Sequence, residues 1–145
     1  NNKITYNNYL NYADFINFLS VNCSKNKIRL CIESNISPDL FFLLKKKIFK
    51  NFYFTFDTGN RILLKRNLIE DLLRFKNSVK HIHIKDKDKK KRNVQLGNGL
   101  VKFKSFFQAL RKIKYKGRLT LETTRGNHPK NMAKRNFVFL KKFIY

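Results

Sequence analysis

Apolar residues recur along the chain at helical and strand spacings in regular alternation. Tyr12, Phe15, Ile16 and Leu19 fall at i, i+3, i+4 and i+7, which predicts an amphipathic helix over roughly residues 8–21. The run from Ile28 to Glu33 has strand length and ends at the polar pair Ser34-Asn35. Ser37-Pro38-Asp39 then supplies an N-cap, a first-turn proline and an acid at a helix start, and the helix continues from Leu40 to Phe49. The aromatic run Phe52 to Phe56 reads as the next strand and stops at Asp57-Thr58-Gly59-Asn60.

The same alternation then repeats. Leu68, Ile69, Leu72 and Leu73 form a helical stripe, and Val79 to Ile84 reads as a strand with His81 and His83 on one side. After a basic loop and Leu96-Gly97-Asn98-Gly99, a helical face is formed by Phe103, Phe106, Phe107, Leu110 and Ile113. Leu119 to Leu121 is a short strand ending at Glu122, and Pro129 opens a last helix carrying Met132, Phe137, Leu140 and Ile144. Strands near 28–33, 52–57, 79–84 and 118–122 alternate with helices and no linker interrupts them, which predicts an α/β fold with a parallel sheet and right-handed crossovers.

Composition adds a large charge, with 33 Lys plus Arg against 9 Asp plus Glu in 145 residues, a formal net +24. Such an excess raises nucleic acid or small anions as partners. A second reading competes. Lys, Asn, Ile, Phe and Tyr abound while Gly numbers 5 and Pro 2, the signature of A/T-rich codons, and the cations spread over most of the chain apart from one run, Lys85 to Arg92. No apolar run approaches the roughly 18–20 residues of a membrane span. The N-terminal stretch lacks the compact apolar segment of a signal peptide, and Cys23 and Cys31 make no disulfide framework, so the expected setting is a reducing cytoplasm.

The scarce acids carry more information than the abundant bases. Glu33, Asp57 and Glu122 each sit where a strand gives way to its following loop, and the remaining strand supplies His83 at the corresponding place. In parallel α/β folds, ligands bind outside the carboxyl ends of the strands. Three carboxylates and an imidazole on one rim suit a divalent ion such as Mn, Mg, Co or Zn. His81 shares the face of His83 but lies deeper, where it packs or supports a ligand.

Four stretches make the chain resemble the second half of the xylose isomerase-like barrels: Leu30-Cys31-Ile32-Glu33, Phe56-Asp57-Thr58-Gly59-Asn60, His81-Ile82-His83-Ile84-Lys85-Asp86 and Gly117-Arg118-Leu119-Thr120-Leu121-Glu122. Val94-Gln95-Leu96-Gly97-Asn98-Gly99 followed by Phe103 is similar to a further segment of that group. The resemblance implies a single partial domain over 1–145: the C-terminal half, about four βα units, of a (β/α)8 TIM barrel. It also implies a metal-dependent sugar or sugar-phosphate isomerase or epimerase working by proton transfer through an enediolate. Glu33, Asp57, His83 and Glu122 would hold one divalent cation, Glu33 and Glu122 would double as acid and base, and Asn60, Lys85 and Arg125 would bind substrate. The implied partners are a small sugar or sugar phosphate and either the missing barrel half or a second copy of the chain.

Departures from the family pattern bear on the alternatives. Asn60 stands where many relatives have His. The endonuclease IV branch needs an Asp-x-His triplet where this chain has Lys91-Arg92-Asn93, so a nuclease reading keeps only its charge and nucleic acid is not the expected partner. An inactive truncated half is the remaining alternative. A full barrel takes about 250 residues, and an open half would leave two unpaired sheet edges. The Asn1-Asn2 start without Met fits a fragment of a longer gene product.

Overall fold

Alternation along each strand decides which side chains meet the helices and which face away. A computed structural model describes residues 3–64 and 66–144, so the Asn1-Asn2 start lies outside the described residues. The elements run α1 (Leu10–Lys25), β1 (Leu30–Glu33), α2 (Pro38–Lys47), β2 (Phe52–Asp57), α3 (Thr58–Arg61), α4 (Leu68–Phe75), β3 (Val79–Ile84), β4 (Asp86–Lys87), β5 (Asn93–Val94), α5 (Phe103–Lys112), β6 (Arg118–Leu121) and α6 (Pro129–Ile144). The main sheet has the order β1-β2-β3-β6, every pair parallel. Among the described residues, its two outer strands, β1 and β6, have no strand paired on their far sides.

Phe52, Phe54 and Phe56 of β2 and Ile82 and Ile84 of β3 turn toward the helices and are fully buried with Phe41, Phe75 and Phe106. Phe54 and Phe75 stack with ring centroids 4.1 Å apart. Helices α1, α2, α4, α5 and α6 touch in that succession, forming one layer. The opposite face is polar: Cys31, Tyr53 and His81 are half-buried, and Arg118 and Thr120 are exposed. Among the described residues no helix is long and apolar enough to cross a membrane.

Local signals and structure agree at several places. Ser37 caps α2 by accepting from Leu40 N at 3.2 Å, with Pro38 at the first helical position. The α5 stripe is buried at Phe103, Phe106, Phe107 and Leu110. Three other helices are rotated relative to the sequence expectation. Helix α1 buries Ala13, Ile16 and Ser20 and leaves Phe15 exposed, because Asn17 and Ser20 bond backbone around the end of α2, at Lys47 O, Phe49 N and Lys50 O. Helix α4 buries Leu68, Asp71, Leu72 and Phe75. Helix α6 buries Asn136 and Leu140 and exposes Phe137 and Ile144.

Two lysines occupy backbone positions that favour glycine. Lys27 (φ 57°) and Lys114 (φ 51°) follow α1 and α5 in the left-handed region. Around them Ile28 N bonds Cys23 O at 2.8 Å and Tyr115 N bonds Leu110 O at 3.0 Å, the six-to-one closure of a Schellman motif. A side chain is strained there, and this places lysine where the backbone asks for Gly, as a compositional origin of the charge would. Lys27→Gly and Lys114→Gly are each expected to stabilise the chain by about 0.5–1 kcal/mol, read from urea unfolding midpoints. A loss of stability in both would contradict the strain argument.

Candidate functional site

Strand register brings four side chains to one rim. Asp57 pairs with His83 across β2 and β3, Glu33 lies at the end of β1, and Glu122 follows β6 with its N–H on Ile84 O at 3.1 Å. One ligand atom from each of Glu33, Asp57, His83 and Glu122 lies within 4.8 Å of the other three. His83 Nδ1 is 3.0 Å from Glu33 Oε2 and 2.9 Å from Glu122 Oε2. Asp57 is buried, whereas the Glu33 and Glu122 side chains are 36% and 48% exposed.

Neighbours hold each carboxylate by its second oxygen or its flank. Asp57 caps α3 by accepting from Asn60 N at 2.6 Å, so the Asp57-Thr58-Gly59-Asn60 stop is a helical turn rather than a loose loop. Asn60 Nδ2 donates to Glu33 Oε1 at 3.0 Å. Lys85 Nζ donates to Glu122 Oε1 at 2.6 Å and lies 3.1 Å from Asp57 Oδ2. His81 Nε2 pairs with Thr120 Oγ1 at 3.0 Å and meets the His83 ring edge-on at 5.0 Å.

Electrostatics follow from this packing. Burial works against the Lys85 ammonium, but the carboxylates of Glu122 and Asp57 outweigh it and hold its pKa above the ordinary lysine value. Partial burial pushes the Glu122 carboxyl up, and Lys85, with help from His83, more than reverses this, leaving it below the usual range. Burial, then the neighbouring His83 and Arg118, push His81 down, so its ring is neutral near pH 7. Two buried atoms in the cluster, Asp57 Oδ2 and His83 Nδ1, make no well-aligned hydrogen bond among the described residues, although Lys85 Nζ lies beside the first and the Glu33 and Glu122 carboxylates beside the second. A buried carboxylate and an imidazole converging with two more carboxylates are a donor set that fits a divalent cation.

Of the residues expected to bind substrate, Asn60 and Lys85 join the cluster. Arg125 is exposed in the coil after β6 and has no hydrogen bond or ion pair among the described residues. Several supporting residues escaped the sequence reading. Arg61, almost fully buried, bonds Ser34 O at 3.3 Å and Ile36 O at 3.2 Å, tying down the loop that follows Glu33, and pairs with Asp71. Asp86 alternates away from Lys85 into the interior, where it accepts from the N–H groups of Lys87, Gly97, Gly99 and Val101. That carboxylate folds the Gly97-Asn98-Gly99 segment over the sheet. The run from Lys85 to Arg92, expected as a loop, contributes strand β4 and the turn that joins it to β5 in a small antiparallel hairpin. Asn136 joins the Gly-x-Gly segment to the coil after Glu122, through Leu96 N at 3.1 Å and Thr123 Oγ1 at 2.9 Å. The available signal for Asp86 was its odd position against His83 and Lys85 on an alternating strand.

A family model described as xylose isomerase-like TIM barrel matches residues 8–143. Among solved structures, D-allulose 3-epimerase from Methylomonas sp. superposes with a TM-score of 0.83 at 18% identity, covering 98% of this chain and 58% of that one. A xylose isomerase domain protein from Planctomyces limnophilus gives 0.79 at 25% identity, covering 92% and 52%. The apo form of 3-keto-D-glucoside 4-epimerase from E. coli gives 0.76 at 18% identity, covering 90% and 52%. The chain thus spans about half the length of the structures it matches. No curated protein matches the sequence at a significant level.

Proposed function

The chain belongs to the xylose isomerase-like TIM barrel family, and we propose that it carries the metal-binding rim of a sugar or sugar-phosphate isomerase or epimerase. The observation that carries this reading is the convergence of Glu33, Asp57, His83 and Glu122 at the carboxyl ends of four parallel strands. These four would hold one divalent cation, which when bound would supply electrophilic polarisation of neighbouring substrate oxygens.

The chain's own residues divide the remaining work by exposure. Asp57 is too buried to touch a sugar, so its part is to hold charge. Glu33 and Glu122 are half-exposed and flank His83, in reach of a substrate on the rim. One takes a proton from the carbon beside the carbonyl or hydroxyl carbon, and the other returns a proton to the enediolate. Asn60 orients Glu33, and Arg125 is free to meet a substrate oxygen or phosphate. The open outer edges of β1 and β6 leave room for the rest of a barrel, which we read as preceding this C-terminal half and supplying further substrate contacts.

Titration with Mn2+ is expected to raise the thermal midpoint, by an amount equivalent to about 2.7 kcal/mol at a hundredfold excess over Kd, and chelation should reverse it. In D2O, a ketose or its phosphate should acquire deuterium beside the carbonyl when incubated with the full-length gene product. Mn2+ binding that survives Asp57→Asn, together with no deuterium uptake, would sink the reading.

A further inference from the structure

We propose that Lys85 is a resident counter-cation of the carboxylate cluster, a positioning residue that weakens and thereby tunes divalent-cation binding. The inference rests on the metal reading above and adds to it a determinant of affinity. Alternation places Lys85 on the same face as His83, and its side chain is only 8% exposed. Its ammonium reaches Glu122 Oε1 at 2.6 Å and Asp57 Oδ2 at 3.1 Å, so it engages two of the four candidate ligands.

The three residues that end β2 and begin α3 build a seat for this lysine. Asp57 meets its ammonium. Thr58 Oγ1 accepts from Lys85 N at 2.9 Å and donates to Lys85 O at 2.6 Å. Gly59 leaves space for the stem: a Cβ there would lie 2.6 Å from Lys85 Cγ and 2.9 Å from its Cβ and Cδ. Gly59 has no positive φ, so space rather than backbone freedom is what the glycine provides. A surface cation that only gripped substrate would need none of this.

Charge counting then gives the direction of the effect. Three carboxylates and one ammonium together carry −2, and a divalent cation brings that sum to zero. Without Lys85 the sum is −3, the lone pairs on Asp57 and Glu122 are released, and a nearby like charge is gone. In return for weaker binding, Lys85 keeps mutually repelling carboxylates convergent when no metal is bound.

Isothermal titration of Mn2+ into the chain tests this, with the absorption spectrum of bound Co2+ as a second readout. Lys85→Met is expected to bind Mn2+ at least tenfold more tightly than wild type, and Lys85→Arg to stay near wild type. Gly59→Ala, which crowds the stem out of its seat, should shift affinity in the same direction as Lys85→Met and serves if that variant does not fold. Equal or weaker binding by Lys85→Met and Gly59→Ala, while Glu122→Gln still loses affinity, overturns the role of Lys85 and leaves the metal reading standing. Absence of Mn2+ and Co2+ binding in wild type and all variants overturns both.

Discussion

Replacing Asp71 with alanine is expected to cost the fold about 3–5 kcal/mol, the range for stranding one member of a buried ion pair. Asp71 is 4% exposed and receives the Arg61 guanidinium together with Arg66 Nε, the latter at 3.0 Å. Arg61 is 2% exposed and lies over three rings, its guanidinium carbon 5.3, 5.2 and 5.0 Å from the centroids of Phe54, Phe56 and Phe75. Burial pushes its pKa down and Asp71 pulls it back, so the carboxylate is what makes the buried cation tolerable. Without it, the charge stays inside an aromatic core with only Ser34 and Ile36 carbonyls as acceptors. Against a typical total stability of about 5–15 kcal/mol, that loss takes a large share. The paired change Arg61→Met with Asp71→Leu should recover most of it, because no charge is then left stranded. Urea unfolding decides: a cost below about 1 kcal/mol for Asp71→Ala would show the pair to be dispensable.

The pair also shows where the sequence stopped being informative. Asp71 lies three residues after Leu68 and four before Phe75, within the buried stripe rather than beside it. The apolar stripe Leu68, Ile69, Leu72 and Leu73 is turned slightly from the buried face and leaves Asp71 off it. A carboxylate at a core position signals a buried partner, but its partner is ten residues away in a turn, beyond what periodicity can reach. Strand ends were legible for the opposite reason. A period of two and a polar stop mark the face and rim of each strand without any knowledge of its neighbours, so Glu33, Asp57, His83 and Glu122 could be set on one edge. Helix faces failed where bulk misled: with 15 Phe in the chain, apolarity outruns the available core, and Phe15, Phe18, Phe49 and Phe137 remain on the surface. The small or polar residues Ala13, Ser20 and Asn136 are buried instead, at close approaches and hydrogen bonds that hydropathy does not register.

That surplus of lysine and phenylalanine bears on the charge as well. Among the described residues, four of the five non-glycine positions with positive φ are lysines, at Lys27, Lys76, Lys91 and Lys114, and the fifth is Asn51. Backbone positions that favour Gly have been filled by the chain's commonest polar residues. A net +24 is therefore poor guidance to a partner, while seven of the nine acids have a definite place. Asp39, Asp71 and Asp88 pair with arginines, Asp86 folds the Gly-x-Gly segment, and three more form the rim cluster.

Glu33→Gln and Glu122→Gln are each expected to reduce ketose epimerisation by about 10²–10⁴-fold, the contribution of a positioned acid or base. Both side chains are substantially exposed, so Glu33→Gln should alter stability by no more than about 0.5 kcal/mol, and Glu122→Gln, which leaves Lys85 with Asp57 as its remaining carboxylate, by about 1 kcal/mol. Loss of activity with a cooperative unfolding transition retained then separates chemistry from folding. The two variants should also differ from each other. Two-base transfer assigns one glutamate to each face of the carbon, so removing one base leaves the other able to exchange the proton of its own epimer with solvent. In D2O, with the full-length gene product, one variant should retain deuterium uptake into one epimer and the other variant into the opposite epimer. Their surroundings already differ, since Glu33 accepts a hydrogen bond from the neutral amide of Asn60 and Glu122 from the cationic Lys85. Unchanged epimerisation in either variant would remove that glutamate from the reaction, and identical exchange with both epimers in both variants would replace the two-base scheme with a single base.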